Sequence, residues 1–325
     1  MVAAVRVHKT GGPDVLTYED VDIPAPGQGQ VKIKTHAAGI NFIDTYFRMG
    51  MYPSPVGLPF IAGNESAGEV IAVGPGVSDL KVGDRVAYVG ALGGYAAERL
   101  VPADRAVKMP DNISYEQAAG MMLKGMTAQY LLKRTFAVQK GQTILWHAAA
   151  GGVGLIACQW ARHLGATVIG TVGSDEKVAL AKDNGCTHVL NTRSDNWVAR
   201  VREITNGEGV PVVYDSVGKD TWDGSLDCLA VRGMMVSFGN ASGAVPPFAP
   251  GILSAKGSLY LTRPTLFHYA RNAAELQETA DDLFDAIAKG IVRIAIHQRF
   301  NLEDARAAHE ALHSRTTTGA TILIP

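Results

Sequence analysis

The chain has 325 residues, more than one average domain needs, so two domains are expected. Hydrophobic residues make up 47% and charged residues 19%, a composition that builds large cores. Thirty Lys and Arg against 31 Asp and Glu leave a formal net charge of -1, which provides no basic surplus for nucleic acid and no charged tail. The cysteines Cys158, Cys186 and Cys228 are far apart and form neither a disulfide framework nor a C-x-x-C pair. A reducing, cytoplasmic setting is therefore expected. The opening MVAAVRVHKTGG lacks a long apolar stretch, so no signal peptide is expected, and no run reaches ~18 apolar residues.

In chain order, the first 110 residues read as short strands punctuated by glycine. Residues 29–39 alternate through Val31, Ile33 and Thr35, as a half-buried strand does. AGNESAGEVIAVG (62–74) holds a strand from Glu69 to Val73, and KVGDRVAY (81–88) another from Arg85. The pattern predicts a small barrel-like or sandwich-like β unit. From Ser114 the chain turns helical, with Gln117 three residues on, as in a capping box. From Gly141 an α/β series begins. Strands are predicted at 144–148, 167–172, 188–191, 211–218, 234–240 and 256–264. Helices are predicted at 152–165, 176–185, 196–207 and 222–233. Such alternation implies crossover units and a parallel sheet. The tail reads as helix (273–290), strand (294–300), helix (301–315) and strand (319–325), and is free to return to the first domain.

HAAAGGVGLIACQ (147–159) is close to a dinucleotide fingerprint. A helix N-terminus offers free N–H groups and positive partial charge to a pyrophosphate, and the close approach demands small residues. Ala149, Gly151 and Gly154 occupy the G-x-G-x-x-G spacing, with Ala first. A methyl is tolerable there if the turn needs no positive φ at that position. An acidic residue about 20 positions on usually marks NAD. Here the second strand ends in GTVGSDEK, with Gly173 and Ser174 at the tip. Ser174 supplies a hydroxyl and Lys177 a charge to a 2′-phosphate, which favours NADPH.

GINFIDTY (39–46), AGNESAGEV, VGDRV, the Ala-first loop, VYDSVG, VSFGN and the terminal ATILIP together resemble the zinc-independent quinone oxidoreductases. These form the zeta-crystallin-like branch of the medium-chain dehydrogenase/reductase superfamily. The resemblance covers essentially the whole chain. It implies an α/β protein with a GroES-like catalytic domain at 1–125, completed by 292–325, and a Rossmann domain with a parallel sheet at 126–291. It implies NADPH in the cleft between them, a quinone substrate, and a homodimer formed through the edge strand KGSLYLTRP. Zinc relatives place a Cys in G-x-C and a His in G-H-E; here those positions are Asn41 and Asn64, and no cysteine lies nearby. No metal is expected. The nine histidines look scattered.

The resemblance also suggests residue roles. Asn41 is expected to bind cofactor or substrate carbonyl, and Asp44 to orient it or the ribose. Tyr46 and Tyr52 would line the acceptor site. Asn64 would supply an amide. Around the nucleotide it adds Thr127, Tyr130, Gly152, Val153, Ser216, Phe238, Gly239, Asn240, Ala241, Arg263 and Arg315. Thr192 departs from the family's Tyr near the adenine, with Arg193 as a compensating candidate. Two rival readings remain open at this stage. One is an enoyl or alkenal reductase on the same scaffold. The other is a crystallin-like structural or RNA-binding role, against which the charge balance speaks.

Overall fold

The computed structural model describes residues 1–90, 92–314 and 316–325. It divides into two compact units. One comprises Met1–Met126, Ala270–Phe284 and Ile294–Pro325; the other comprises Thr127–Tyr269 and Asp285–Arg293. The architecture is the expected α/β pairing of a GroES-like and a Rossmann-like unit.

The first unit is built on the long strand Gln30–Ile40. Val31, Ile33 and Thr35 are buried and Lys34 is exposed, the alternation expected for a strand with one wet face. Register slips between Lys32 and Ile33 and between Thr35 and Ala37 bend it. The bent strand pairs with Glu98–Pro102 over its first half and with Ala320–Ile324 over its second, while Glu65–Val73 runs antiparallel along its length. Thr321 lies opposite Ile40, so the chain's last strand returns to its first large sheet. A smaller sheet joins Leu16–Val21, Val2–Val7 and Phe60–Ile61. The helix Tyr115–Tyr130 begins with the expected reciprocal cap. Gln117 N–H donates to Ser114 Oγ at 3.1 Å, and Ser114 N–H donates to Gln117 Oε1 at 3.0 Å.

The second unit carries a parallel sheet whose strands, among the described residues, lie in the order His188–Asn191, Thr167–Val172, Thr143–Trp146, Val210–Asp215, Leu229–Ser237, Tyr260–Thr262. Numbered within the unit this is 3-2-1-4-5-6, the doubly wound order, which reverses between Thr143–Trp146 and Val210–Asp215. Ligands bind at the carboxyl ends of the strands beside that reversal. Helices cover both faces, so Ile144, Leu145, Val168, Ile169, Val212 and Val213 are all buried, and these strands read as apolar runs without alternation.

Two expectations change. The helix predicted at 222–233 ends at Cys228, and residues from Leu229 join the sheet. Arg232 has φ 61, a left-handed conformation that no helix continues through. The strand predicted at 256–264 is confined to Tyr260–Thr262, behind a short helix Gly251–Ala255. A seven-residue helix, Phe42–Arg48, is not evident in the sequence pattern and carries part of the site.

Candidate active site

At the carboxyl end of Thr143–Trp146 the chain turns through Ala148 into the helix Gly152–His163. The strained residue is Ala148, at φ 53, whereas Ala149 is not among the positive-φ residues. An L-residue therefore sits at the position of the missing first glycine without backbone strain. The room for its methyl comes from the neighbouring strand: a Cβ on Gly170 would lie 2.8 Å from that of Ala149. Gly154 lets the helix press onto the turn, since a Cβ there would meet the Ala148 carbonyl oxygen at 2.4 Å. Gly151, Gly152 and Val153 stay partly exposed above a buried floor. Gly151 caps the helix without a side-chain bond, so the first-turn N–H groups face outward for an anion.

At the end of Thr167–Val172, Gly173 opens onto empty space: an added Cβ would meet nothing within 4 Å. Ser174 precedes a single 3-10 turn and makes no side-chain cap bond to it. Asp175, the one acid placed to suggest NAD, is held elsewhere: its Oδ1 accepts from Asn191 Nδ2 at 2.8 Å. Asn191 Oδ1 in turn accepts from the Arg193 N–H at 3.0 Å. The Arg193 charge is near enough to act on Lys177. Burial, and then the Arg193 charge, hold the Lys177 ammonium below its ordinary pKa. Two like charges gathered at a strand tip favour an anion between them.

The first unit holds a separate buried polar cluster. Asn41 is extended and caps Phe42–Arg48. Its N–H donates to Asp44 Oδ2 at 2.8 Å, and its Nδ2 donates to Glu65 Oε2 at 2.8 Å. Glu65 is fully buried and is held by the Leu123 N–H at 2.7 Å and Lys124 Nζ at 3.3 Å. Asp44 is 1% exposed. Burial, only partly offset by the Asn41 N–H, Tyr95 O–H and Lys124, raises its pKa to about 7. Tyr46 and Tyr52 come together, their rings edge to face at 5.3 Å.

A family model described as "Alcohol dehydrogenase GroES-like domain" matches residues 27–111, and one described as "Zinc-binding dehydrogenase" matches residues 152–288. A quinone oxidoreductase of Pseudomonas aeruginosa is 53% identical over the whole of both chains. The crystal structure of the Escherichia coli quinone oxidoreductase complexed with NADPH superposes with a TM-score of 0.98 at 49% identity, covering 99% of this chain and 100% of that one. The chain belongs to the zinc-independent quinone oxidoreductases. A 2-haloacrylate reductase of a Burkholderia species is also similar, at 47% identity over 100% of this chain and 99% of that protein.

In this quinone oxidoreductase the donor set does not fit zinc, despite the name of the matching model. Asn41 and Asn64 offer neutral amides where zinc takes a thiolate and an imidazole; their nitrogens are engaged, while Asn64 Oδ1 is buried without a hydrogen-bond partner. The Asn41 amide nitrogen faces Glu65, and Asn64 Nδ2 donates to the Gly90 carbonyl at 2.7 Å. Among the described residues no group of three or more His, Cys, Asp or Glu is arranged to hold a metal ion. The expectation of scattered histidines needs one correction, because His309 and His313 (HEALH) have the H-E-x-x-H spacing of zinc proteases. Here both ring nitrogens of His309 are taken, by Arg48 and Tyr95 at 3.0 Å each, while His313 is exposed.

The other expected residues divide. Ser216 and Phe238–Ala241 lie together beyond two adjacent strand ends: Ala241 N–H donates to Ser216 O at 3.1 Å, and Phe238 N–H donates to Asp215 O at 2.7 Å. Arg263 joins them, donating to Ser237 Oγ at 3.0 Å and Gly239 O at 2.9 Å. Thr127 is half-buried on its helix. Tyr130 is 2% exposed and stacks on Tyr269 at 4.4 Å, so its ring serves packing. Thr192 Oγ1 donates to the Val172 carbonyl at 3.3 Å and ties two strand ends together. Arg315 lies outside the described residues.

Sequence reasoning missed the buried brace beneath these loops. His147 bonds Thr171 at 2.8 Å and Ser225 at 2.9 Å. Ser225 and Thr221 donate to Asp215 Oδ2, and Asp215 Oδ1 accepts the N–H groups of Val217 and Gly218. The only sequence signal is a polar residue in each of three apolar stretches, His147, Thr171 and Asp215.

Proposed function

We propose that the chain is an NADPH-dependent quinone reductase that works without a metal ion. The observation that carries the cofactor assignment is the strand tip, where Lys177 and Arg193 stand together beside the open Gly173 while Asn191 occupies Asp175. The two relatives compared above, a quinone oxidoreductase by name and another solved with NADPH, support the substrate and cofactor class. The residues present fit NADPH. The first-turn N–H groups at Gly152, Val153 and Gly154 would take the pyrophosphate, with Ala149 and Gly151 admitting its approach. Ser174, Lys177 and Arg193 would take the 2′-phosphate. Ser216, Phe238–Ala241 and Arg263 would border the nicotinamide end. When bound, the cofactor supplies the reducing equivalents.

The chain's own task is to hold the acceptor and to exclude water from it. A quinone spreads incoming negative charge over two carbonyl oxygens, so it needs no Lewis acid. Asn41, Asp44, Tyr46 and Tyr52 are assigned to the acceptor. The 2-haloacrylate reductase relative favours a second reading, reduction of an activated alkene. Steady-state rates with a small benzoquinone and with a small enone separate the two. We expect NADPH oxidation with the quinone to exceed that with the enone at least tenfold in kcat/KM; the reverse order selects the alkene reductase.

We also assign the protein to the cytoplasm and to a homodimer. All three cysteines are free and buried, which suits a reducing compartment. No helix among the described residues is long and apolar enough to cross a membrane. The sheet edge at Tyr260–Thr262, with Tyr260 60% exposed and Val231 75% exposed, suits pairing with a second copy.

A further inference from the structure

We propose that Arg48, His309 and Tyr95 form a buried strut that sets the position and protonation of Asp44, and through Asp44 the position of Asn41, making these three the positioning residues of the reaction. The inference rests on the reading that Asp44 and Asn41 serve the acceptor. Arg48 is 1% exposed, and His309 and Tyr95 are fully buried. They converge from three separate stretches of the chain, and Arg48 and His309 stand 261 positions apart.

The direction of each hydrogen bond follows from the chemistry of the groups. Arginine only donates, so Arg48 Nη1 gives its hydrogen to His309 Nδ1, at 3.0 Å. That places the imidazole's own hydrogen on Nε2, which donates to Tyr95 Oη at 3.0 Å. The phenol has one proton, and it goes to Asp44 Oδ2 at 2.9 Å. The same oxygen accepts the Asn41 N–H at 2.8 Å. Burial and the adjacent Arg48 charge hold His309 down at about 3, so it stays neutral and able to accept. Arg48 is anchored by the Gly11 carbonyl at 3.2 Å. The row therefore runs one way, from a fixed cation to a carboxylate.

The far oxygen of that carboxylate, Asp44 Oδ1, is buried and has no hydrogen-bond partner. A buried carboxylate oxygen without a partner is costly unless a proton or a ligand meets it. Besides the strut, the charged groups that act on Asp44 are Glu65, on Glu65–Val73, and Lys124, on Tyr115–Tyr130. They oppose one another: Lys124 favours the carboxylate and Glu65 the acid. The hydrogen bond from Tyr95 is thus the adjustable element.

Tyr95→Phe removes one hydroxyl and keeps the ring. It withdraws a bond from the charged form of Asp44, so the Asp44 titration should move to higher pH by about one pH unit. Side-chain carboxyl NMR of the full chain, with Asp44→Asn identifying the resonance, reads this directly. The same variant should lower kcat about tenfold while changing the KM for NADPH less than twofold, and the inflection in the pH profile of kcat/KM should move up with the resonance. His309→Gln, which keeps a donor toward Tyr95, should shift both in the same direction by a smaller amount. An unmoved Asp44 resonance in Tyr95→Phe overturns the strut. A resonance that moves while the rate profile stays fixed overturns the positioning role and locates the failure in the assignment of Asp44 to the acceptor.

Discussion

Replacing Lys177 and Arg193 together with Ala should raise the KM for NADPH about 100-fold and leave the KM for NADH within about twofold. Each cation would make a charge-assisted bond to the 2′-phosphate, worth about 1.5–3 kcal/mol, and each 1.4 kcal/mol is tenfold in affinity. NADH has no phosphate at that position and loses nothing. The selectivity of the effect is the test, because a general loosening of the strand tip would weaken both nucleotides equally. Asn191 adds a control. It holds Asp175 away from the open ground at Gly173 and fixes the Arg193 backbone, so disturbing it should erode the preference for NADPH.

The second large effect concerns two glycines, 154 and 173, that differ in their surroundings. Gly154→Ala is expected to destabilise the protein by about 3 kcal/mol, lowering the melting temperature by roughly 5–10 °C, and to weaken NADPH binding at least tenfold. The new methyl meets backbone oxygens of Ala148 and Ala149 at 2.4 and 2.7 Å, which cannot rotate away, so the helix must lift from the turn. Gly173→Ala should leave stability within about 0.5 kcal/mol and still raise the KM for NADPH about tenfold. Its methyl meets no protein atom and enters the open ground beside the residues assigned to the 2′-phosphate. Thermal unfolding and NADPH fluorescence titration separate the outcomes. Loss of stability in Gly173→Ala, or normal binding in Gly154→Ala, contradicts this picture of the loop.

Where chemistry is local, it was legible in the sequence. The Ser114–Gln117 cap, the first apolar strand and the glycine loop each depend on neighbours a few residues away, and each follows the sequence pattern. The Ala-first loop is tolerable on φ alone, since Ala149 avoids positive φ; the companion change, Gly170 on the next strand, depends on the sheet register. The sequence places Arg193 as a candidate at the adenine end and gives no sign of a link to Lys177, because that link runs through Asn191 on a different strand. The strut was illegible for the same reason on a larger scale, since His309 sits in a helix that reads as an amphipathic surface element. The stretch 229–233 reads as helix in the sequence and is strand in the structure, because nothing in LDCLAVRG announces the left-handed turn at Arg232.

The central claim, that this chain reduces quinones with NADPH and without a metal, is tested most directly by steady-state kinetics. A small benzoquinone would be reduced with either NADPH or NADH, each with and without a strong metal chelator. A kcat/KM for NADPH at least 100-fold above that for NADH, unchanged by the chelator, is the expected result. Equal use of the two nucleotides, or activity lost to the chelator and restored by zinc, would contradict it.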